Sequence, residues 1–150
     1  MVTIKEGDLF SAPDGVICHQ VNCKGVMERG VAKTFKYVFP EAYKIYKDIC
    51  AHEKDLLGKN SFHIEDTGQT CCMFAQLDWR GHNVCNTDYA AFRECCKGIK
   101  SFIDLHKDKN YVINMPYRIG CGLGGGDWLI IKEILEEEFE GYNLILWKIK

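Results

Sequence analysis

Residues 111–128 place an apolar segment, a glycine-rich turn and the start of a helix in direct succession: Tyr111-Val-Ile-Asn-Met-Pro116-Tyr-Arg-Ile-Gly120-Cys-Gly122-Leu-Gly124-Gly-Gly126-Asp127-Trp128. Glycines leave backbone N–H groups unshielded, so an anion can approach them closely. A helix expected from about Asp127 adds the positive end of its dipole. No lysine follows the glycines, which separates the stretch from the loop of nucleoside triphosphatases. It therefore predicts a site for a phosphate or diphosphate held by the main chain, with no obligatory magnesium or other cofactor.

Outward from this stretch, apolar spacing typical of strands alternates with spacing typical of helices. This alternation predicts a three-layer α/β/α sandwich with a mostly parallel central sheet. Since no linker, repeat or low-complexity tract interrupts it, we expect one domain over residues 1–150. Strands are predicted at residues 2–5, 15–19, 61–65, 70–76, 111–115 and 142–149, and helices at 31–39, 40–52, from Thr87 or Asp88 to about 105, and 127–139.

The composition bounds the classes of partner. A chain of 150 residues, 47% of them hydrophobic, can bury roughly 70% of its unfolded surface by itself. The formal net charge of −2 provides no field that would attract a nucleic-acid backbone, so a duplex ligand is disfavoured while a nucleotide fragment is not. No apolar run approaches the length of a membrane span, and we expect no membrane partner. The oligomeric state is left open.

Nine cysteines, an odd number without a CxxC pair, fit reduced thiols in a cytoplasmic protein. The pattern His82-x-x-Cys85 could contribute to a zinc site, but no second pair has ligand spacing, and we predict no metal. Cys121 lies in the glycine turn. A cysteine nucleophile would need an oriented histidine, which spacing along the chain does not establish.

Ligands of open α/β sheets collect at the carboxyl ends of the strands, so three loops belong together. In the first, Asp8 could accept the amine of adenine, although an aspartate after a glycine is more often a turn or cap residue. In the second, Asn22 suits a sugar hydroxyl or an ordinary Asx turn, and His19 is either packed in the core or able to assist catalysis. In the third, Asp127 caps the helix or positions a water molecule.

The motifs of these loops, taken in order, resemble those of the macro domain family across nearly the whole chain. They are Gly7-Asp8-Leu9-Phe10, then His19-Gln-Val-Asn22-Cys-x-Gly25-Val-Met-x-x-Gly30-Val-Ala32, and Pro116-x-x-Ile119-Gly120-Cys-Gly122-Leu123 with Gly126-Asp127-Trp128. The resemblance implies a three-layer fold that binds ADP-ribose. It places Asp8 and Leu9 at the adenine, Asn22 at the distal ribose, and the diphosphate against two segments: Gly25, Gly30, Val31 and Ala32, and Ile119, Gly120, Cys121, Gly122 and Leu123.

Within that family the chain resembles the branch of the terminal ADP-ribose protein glycohydrolase, the DNA ADP-ribosyl glycohydrolase antitoxins and the yeast ADP-ribose-1''-phosphate phosphatase. The glycohydrolases use a lysine and an aspartate, which pair here with Gln76 and Gly124. The family's Met-Gly-x-Gly is Met27-Glu28-Arg29-Gly30 in this chain. Glu28 beside a diphosphate would be unfavourable unless it faces solvent or pairs with Arg29.

The resemblance implies a hydrolase acting on the distal ribose of ADP-ribose, with the 1''-phosphate as the first candidate substituent. The expected catalytic residues are His19, Asn22 and Asp127. Two alternatives stay open at this point. One is removal of ADP-ribose from a protein or a nucleic acid, and the other is a module that binds ADP-ribose without catalysis.

Overall fold

The computed structural model describes residues 2–80 and 84–149. The predicted elements are confirmed, with bounds that shift by a few residues, and β2 continues through Asn22 rather than ending at His19. A short 3₁₀ turn at Leu9–Ser11 was not predicted. The strands are β1 (Val2–Glu6), β2 (Val16–Asn22), β3 (Asn60–Glu65), β4 (Gly68–Gln76), β5 (Val112–Pro116) and β6 (Asn143–Lys148), and the helices are α1 (Gly30–Val38), α2 (Pro40–His52), α3 (Tyr89–His106) and α4 (Trp128–Glu138).

All six strands form one sheet in the order β1-β6-β5-β2-β4-β3. Neighbouring strands are parallel except β3, which runs antiparallel to β4. The prediction of a mostly parallel sheet is therefore confirmed. The tight turn between β3 and β4 explains the exception, because two strands joined by so few residues can only pair antiparallel.

Helices cover both faces of the sheet and complete the predicted three layers. On one face, Phe92 of α3 and Leu135 of α4 are fully buried with alternate residues of the central strands. On the other, Phe35 of α1 and Tyr46 of α2 pack in a second apolar cluster. Alternation along β2 sends Val16 and Cys18 to the first cluster and Ile17 to the second, since successive side chains of a strand point to opposite faces.

Helix starts follow their local sequence. Pro40 occupies the first turn of α2, where its missing N–H costs nothing. The side chain of Asp88 accepts a hydrogen bond from the amide of Ala91 and so caps α3. Asp127 caps α4 in the same way through the amide of Leu129.

The topology creates a crevice between β2 and β5, which are neighbours in the sheet. The chain leaves the carboxyl end of β2 toward α1 on one face, whereas it leaves β5 toward α4 on the other face. Where adjacent connections diverge in this way, an open α/β sheet forms its ligand crevice.

None of the helices within residues 2–80 and 84–149 is long and apolar enough to span a membrane. Over the same residues, no group of three or more histidine, cysteine and acidic side chains is arranged to hold a metal ion. His82 of the His82-x-x-Cys85 pattern lies outside the described residues.

Candidate functional site

A cleft of about 550 Å³ opens at the carboxyl ends of β2, β4 and β5. One wall is the loop after β5, and the facing wall is the start of α1 with the residues before it. The floor includes residues from the end of β2. Of the predicted site residues, the cleft is lined by His19, Asn22, Gly30, Val31, Ala32, Ile119, Gly120, Gly122 and Leu123.

The glycine loop presents free amides to this cleft. Backbone N–H groups of Cys121, Gly125 and Gly126 donate to carbonyls of the loop itself. In contrast, the amides of residues 120, 122, 123 and 124 make no hydrogen bond within the described part of the chain, and all four residues line the cleft. An unshielded row of N–H groups in a concave wall attracts an anion.

Thr87 holds the glycine loop in this orientation from behind. Its hydroxyl donates to the carbonyl of Gly120 at 2.7 Å and accepts from the Gln20 side-chain amide at 2.9 Å. The backbone amides of Asn86 and Thr87 both donate to the carbonyl of Gly124, at 2.8 and 3.0 Å. These hydrogen bonds hold the carbonyls of Gly120 and Gly124 and so fix the loop between them, whose residues line the cleft.

The N-terminus of α1 supplies the opposite wall. Arg29 occupies its cap position and makes no side-chain hydrogen bond to the helix. The first amides of a helix have no partner inside it. Here those amides belong to Gly30, Val31 and Ala32, which line the cleft. Two sets of main-chain donors thus converge on one space from two elements, which suits two adjacent phosphates.

Charged side chains around the cleft are mainly positive. Arg29, Arg80 and Arg118 line it, with Glu28 as the acidic exception among its described residues. The Glu28 side chain is 65% exposed and lies 3.5 Å from the ammonium of Lys36. It thus faces solvent and pairs with Lys36 rather than with Arg29, which reduces its repulsion of a bound diphosphate.

Asn22 lies at the end of β2 and is nearly buried. Its side-chain oxygen accepts from the amides of Lys24 and Val26, and the Tyr46 hydroxyl is 2.9 Å away. Its side-chain nitrogen donates to the carbonyl of Val26 at 2.8 Å. An amide nitrogen carries two hydrogens, so one N–H remains for a ligand. Asn22 therefore organises the loop as an Asx turn and can still donate to a sugar hydroxyl.

His19 is placed for packing rather than for proton transfer. Its ring is 2% exposed and lies 4.1 Å from the ring of Phe35, and its Nε2 is 3.6 Å from the Cys72 thiol. Burial lowers its pKa from 6.5 to about 3, because the charged form would lose its hydration. A neutral imidazole with so low a pKa is a weak base near pH 7. Its Nδ1 makes no hydrogen bond within the described residues.

The remaining predicted residues are not among those lining the cleft. Leu9 is buried in the apolar cluster with Phe35, so its side chain is a core residue. Exposed Asp8 accepts a hydrogen bond from the amide of Phe10 and thus caps the 3₁₀ turn. Gly25 has φ 80° in the turn after Asn22.

Asp127 and Cys121, two candidates for a role in catalysis, are also absent from the residues that line the cleft. One carboxylate oxygen of Asp127 accepts a hydrogen bond from the amide of Leu129 and so caps α4, which is a structural role. The Cys121 thiol points to the carbonyl of Ile119, and burial raises its pKa to about 11. A thiol that stays protonated at neutral pH is a poor nucleophile.

Gln76 and Gly124, which pair with the lysine and the aspartate of the glycohydrolases, have structural roles in this chain. Gln76 accepts from Gln20 at 2.7 Å and donates to the carbonyl of Asp78 at 2.9 Å. At Gly124, an added Cβ would come within 2.8 Å of both the Gly120 carbonyl and the Thr87 hydroxyl. The loop in this conformation leaves no space for an aspartate at that position.

Sequence reasoning missed Gln20, Thr87, Trp79 and Arg80. Gln20 follows His19 on the opposite face of β2, and nothing in the strand pattern marks its side chain as part of the site. From its position before an apolar helical pattern, Thr87 is predicted only as a possible helix cap. The run from Asp78 to Arg80 carries a local signal, since an aspartate followed by an arginine two residues later can close a charged turn.

No family model matches the chain. A DNA ADP-ribosyl glycohydrolase of Mycobacterium tuberculosis is 29% identical over 146 residues, which cover 93% of this chain and 39% of that protein. An ADP-ribose 1''-phosphate phosphatase of Lodderomyces elongisporus is 28% identical over 149 residues, covering 91% of this chain and 92% of the phosphatase. The chain thus spans about two fifths of the glycohydrolase and most of the phosphatase.

Solved structures share the fold. The macrodomain of Mycobacterium tuberculosis DarG superposes with a TM-score of 0.83 at 23% identity, over 98% of this chain and 97% of that one. Thermosipho africanus DarTG in complex with ADP-ribose matches with a TM-score of 0.80 at 19% identity, over 97% of this chain and 41% of that one. With this sheet order and this agreement over nearly its whole length, the chain has the macrodomain fold, and its sequence is similar to a DNA ADP-ribosyl glycohydrolase and to an ADP-ribose 1''-phosphate phosphatase.

Proposed function

We propose that the cleft binds ADP-ribose and that the protein hydrolyses a substituent of the distal ribose, with the 1''-phosphate as the first candidate. The observation that carries the proposal is the convergence of free amides from the glycine loop and from the start of α1. Main-chain donors on two sides fit a diphosphate, and Arg29 and Arg118 offset its charge.

The family resemblance suggests the direction of the bound ligand, and the order of the strands is compatible with it. The 3₁₀ turn capped by Asp8 follows β1, while Asn22 ends β2 and Gln76 ends β4. An adenine near Asp8 and Leu9 and a distal ribose near Asn22 would leave the diphosphate between the two amide sets.

The choice of a phosphate substituent follows from which groups line the cleft. Of its described residues, none is a lysine, and Gln76 occupies the position paired with the glycohydrolase lysine. Attack by water on a glycosyl phosphate releases inorganic phosphate and ADP-ribose, and the amides and arginines can stabilise the charge that develops. This reaction needs no strong base, and neither His19, whose pKa burial lowers to about 3, nor Asp127, which caps α4, supplies one.

A second candidate is removal of ADP-ribose from a nucleic acid or a protein. It is favoured by the DNA ADP-ribosyl glycohydrolase that matches 93% of this chain. In this case water would replace the macromolecule at C1'' of the distal ribose. Asn22 would orient the ribose as in the first reading, and the catalytic base would have to be another group.

Product analysis separates the candidates. The protein is incubated with ADP-ribose-1''-phosphate, with ADP-ribosylated DNA and with ADP-ribosylated protein, and a calorimetric titration with ADP-ribose is run in parallel. Release of phosphate supports the first candidate, and release of ADP-ribose supports the second. Binding without either product would leave a module that recognises ADP-ribose and catalyses nothing. Absence of binding would overturn the proposal as a whole.

We also propose that residues 1–150 act as one domain in the cytoplasm. All nine cysteines lie in the described part of the chain and none forms a disulfide, as expected in a reducing compartment.

A further inference from the structure

We propose that Trp79 and Arg80 form a subsite for a phosphate carried on the distal-ribose side of the ligand, so that Arg80 determines which ADP-ribose derivatives are preferred. This inference rests on the proposed function. The phosphate could be a terminal 1''-phosphate or the backbone of an ADP-ribosylated nucleic acid, and the experiment below distinguishes the two.

The position of the two residues follows from the sheet. They come directly after β4, which pairs with β2 on the side away from β5. Gln76 at the end of β4 lies in register with Asn22. A ligand that has its diphosphate between α1 and the loop after β5, and its ribose at Asn22, therefore directs its next substituent toward Trp79 and Arg80. Both residues line the cleft.

The segment that carries them is held in place. A side-chain oxygen of Asp78 accepts from the amides of Trp79 and Arg80 at 2.7 and 3.1 Å. Gln76 donates to the carbonyl of Asp78, and Asn86 donates to the carbonyl of Arg80 at 3.2 Å. A turn fixed at both ends presents its side chains in a defined direction, at lower entropic cost on binding.

The guanidinium of Arg80 is aligned and still has donors to offer. Its Nε and Nη2 donate to the Asp78 carboxylate at 3.1 and 2.7 Å. Arg80 holds the pKa of Asp78 well below its usual range, so the pair persists across the physiological pH range. Of five N–H groups on a guanidinium, these contacts use two, and the side chain is 68% exposed. The free edge can bind two phosphate oxygens.

Trp79 completes the subsite as an apolar wall. The residue lines the cleft and is 46% exposed. An indole that lines the same cleft as a guanidinium offers a surface on which a sugar or a base can pack while the cation binds the phosphate. Trp79 therefore contributes more to a nucleotide substituent than to a lone phosphate.

The test compares affinities for three ligands: ADP-ribose, ADP-ribose-1''-phosphate and an ADP-ribosylated single-stranded oligonucleotide. Dissociation constants are measured by competition, before hydrolysis becomes detectable. Arg80→Gln should change the affinity for ADP-ribose by less than about twofold and weaken at least one phosphate-bearing ligand by about fivefold to tenfold, since one charge-assisted contact is lost. Loss confined to ADP-ribose-1''-phosphate identifies the terminal phosphate, and loss confined to the oligonucleotide identifies the nucleic-acid backbone.

Arg118→Gln is the matched control, because it removes a second cleft arginine on the β5 side. It should leave the ratio of affinities between ADP-ribose and the phosphate-bearing ligands unchanged. The inference is overturned if Arg80→Gln also leaves every ratio unchanged, or if Arg118→Gln lowers the ratios equally. Those results differ from failure of the proposed function, in which the unaltered protein binds none of the three ligands.

Discussion

At the scale of single residues, Gly122 is the most direct probe of the cleft. A Cβ added there meets no atom within 4 Å, so a side chain would extend into the open cleft without disturbing the loop. Gly122→Glu should weaken ADP-ribose binding at least about a hundredfold, because a carboxylate would occupy the place of the diphosphate and repel it.

The uncharged variant Gly122→Gln serves as the control for this experiment, as it matches the glutamate in size. It should lose less affinity than Gly122→Glu, and both should unfold at the same temperature as the unaltered protein. Unchanged calorimetric affinity in Gly122→Glu would remove the glycine loop from the binding site.

His19 links its burial to the pH dependence of stability. Its folded pKa of about 3 lies below the unfolded value of 6.5, so the unfolded chain binds a proton in this range and the folded protein does not. The contribution of neutral His19 to the free energy of unfolding is fully present above pH 6.5. It decreases as the pH falls, and about 2 kcal/mol is lost at about pH 5. Urea denaturation of the unaltered protein and His19→Gln at several pH values should show a steeper loss with the histidine.

The same pair of proteins tests the role of His19 in turnover. Because the imidazole stays neutral, hydrolysis should show no inflection from His19 between pH 5 and 8. An inflection near pH 6.5 that disappears in His19→Gln would show instead that the ring is protonated during the reaction.

At the scale of elements, the conformation of the glycine loop depends on Thr87, which lies just before α3. Thr87→Val keeps the volume of a buried residue but removes the hydroxyl that binds the Gly120 carbonyl and the Gln20 amide. The free energy of unfolding should fall by about 1 to 3 kcal/mol. ADP-ribose affinity should also fall, because the loop amides lose their fixed direction.

Thr87→Ser retains the hydroxyl and is the control. It should preserve most of the affinity, as measured by calorimetry under the same conditions. Equal affinity for ADP-ribose in Thr87→Val and the unaltered protein would mean that the loop keeps its shape without this hydrogen bond.

Asp127 is interpreted as the cap of α4. Asp127→Ala should lower the free energy of unfolding by about 1 kcal/mol, whereas Asp127→Ser should restore the cap and most of that loss. Turnover should be the same in Asp127→Ser as in the unaltered protein. A stable Asp127→Ser variant without turnover would instead assign the carboxylate to the reaction.

At the scale of the whole molecule, the cleft joins four separate parts of the chain, namely the end of β2, the start of α1, the segment that follows β4 and the loop after β5. A ligand that binds only the folded arrangement stabilises all of them together. With ADP-ribose at a hundred times its dissociation constant, the gain is about 2.7 kcal/mol, or roughly 5 to 10 °C in Tm for a chain of this size. Differential scanning fluorimetry should show this shift for the unaltered protein and none for Gly122→Glu.

The secondary-structure elements and the anion-binding turn could be predicted from local sequence patterns. Apolar spacing marks α2 and α3 with nearly the observed bounds, and Asp127 and Pro40 mark helix starts, because these signals depend on residues only a few positions apart. The glycines of residues 120–126 likewise predict exposed backbone amides from the sequence pattern alone. The resemblance to the macro domain family added adenosine and ribose, which no physical pattern could have specified.

How these parts meet could not be predicted from such patterns, because it depends on contacts between residues far apart in the chain. The order of the strands brings Asn22 beside Gln76, and the hydrogen bond from Thr87 to Gly120 joins residues 33 positions apart. The low pKa of His19 arises from Phe35 and the other groups that bury it, not from its neighbours in the chain. Burial and the direction of a side chain depend on what packs against it across the fold, and that information is absent from any local window of sequence.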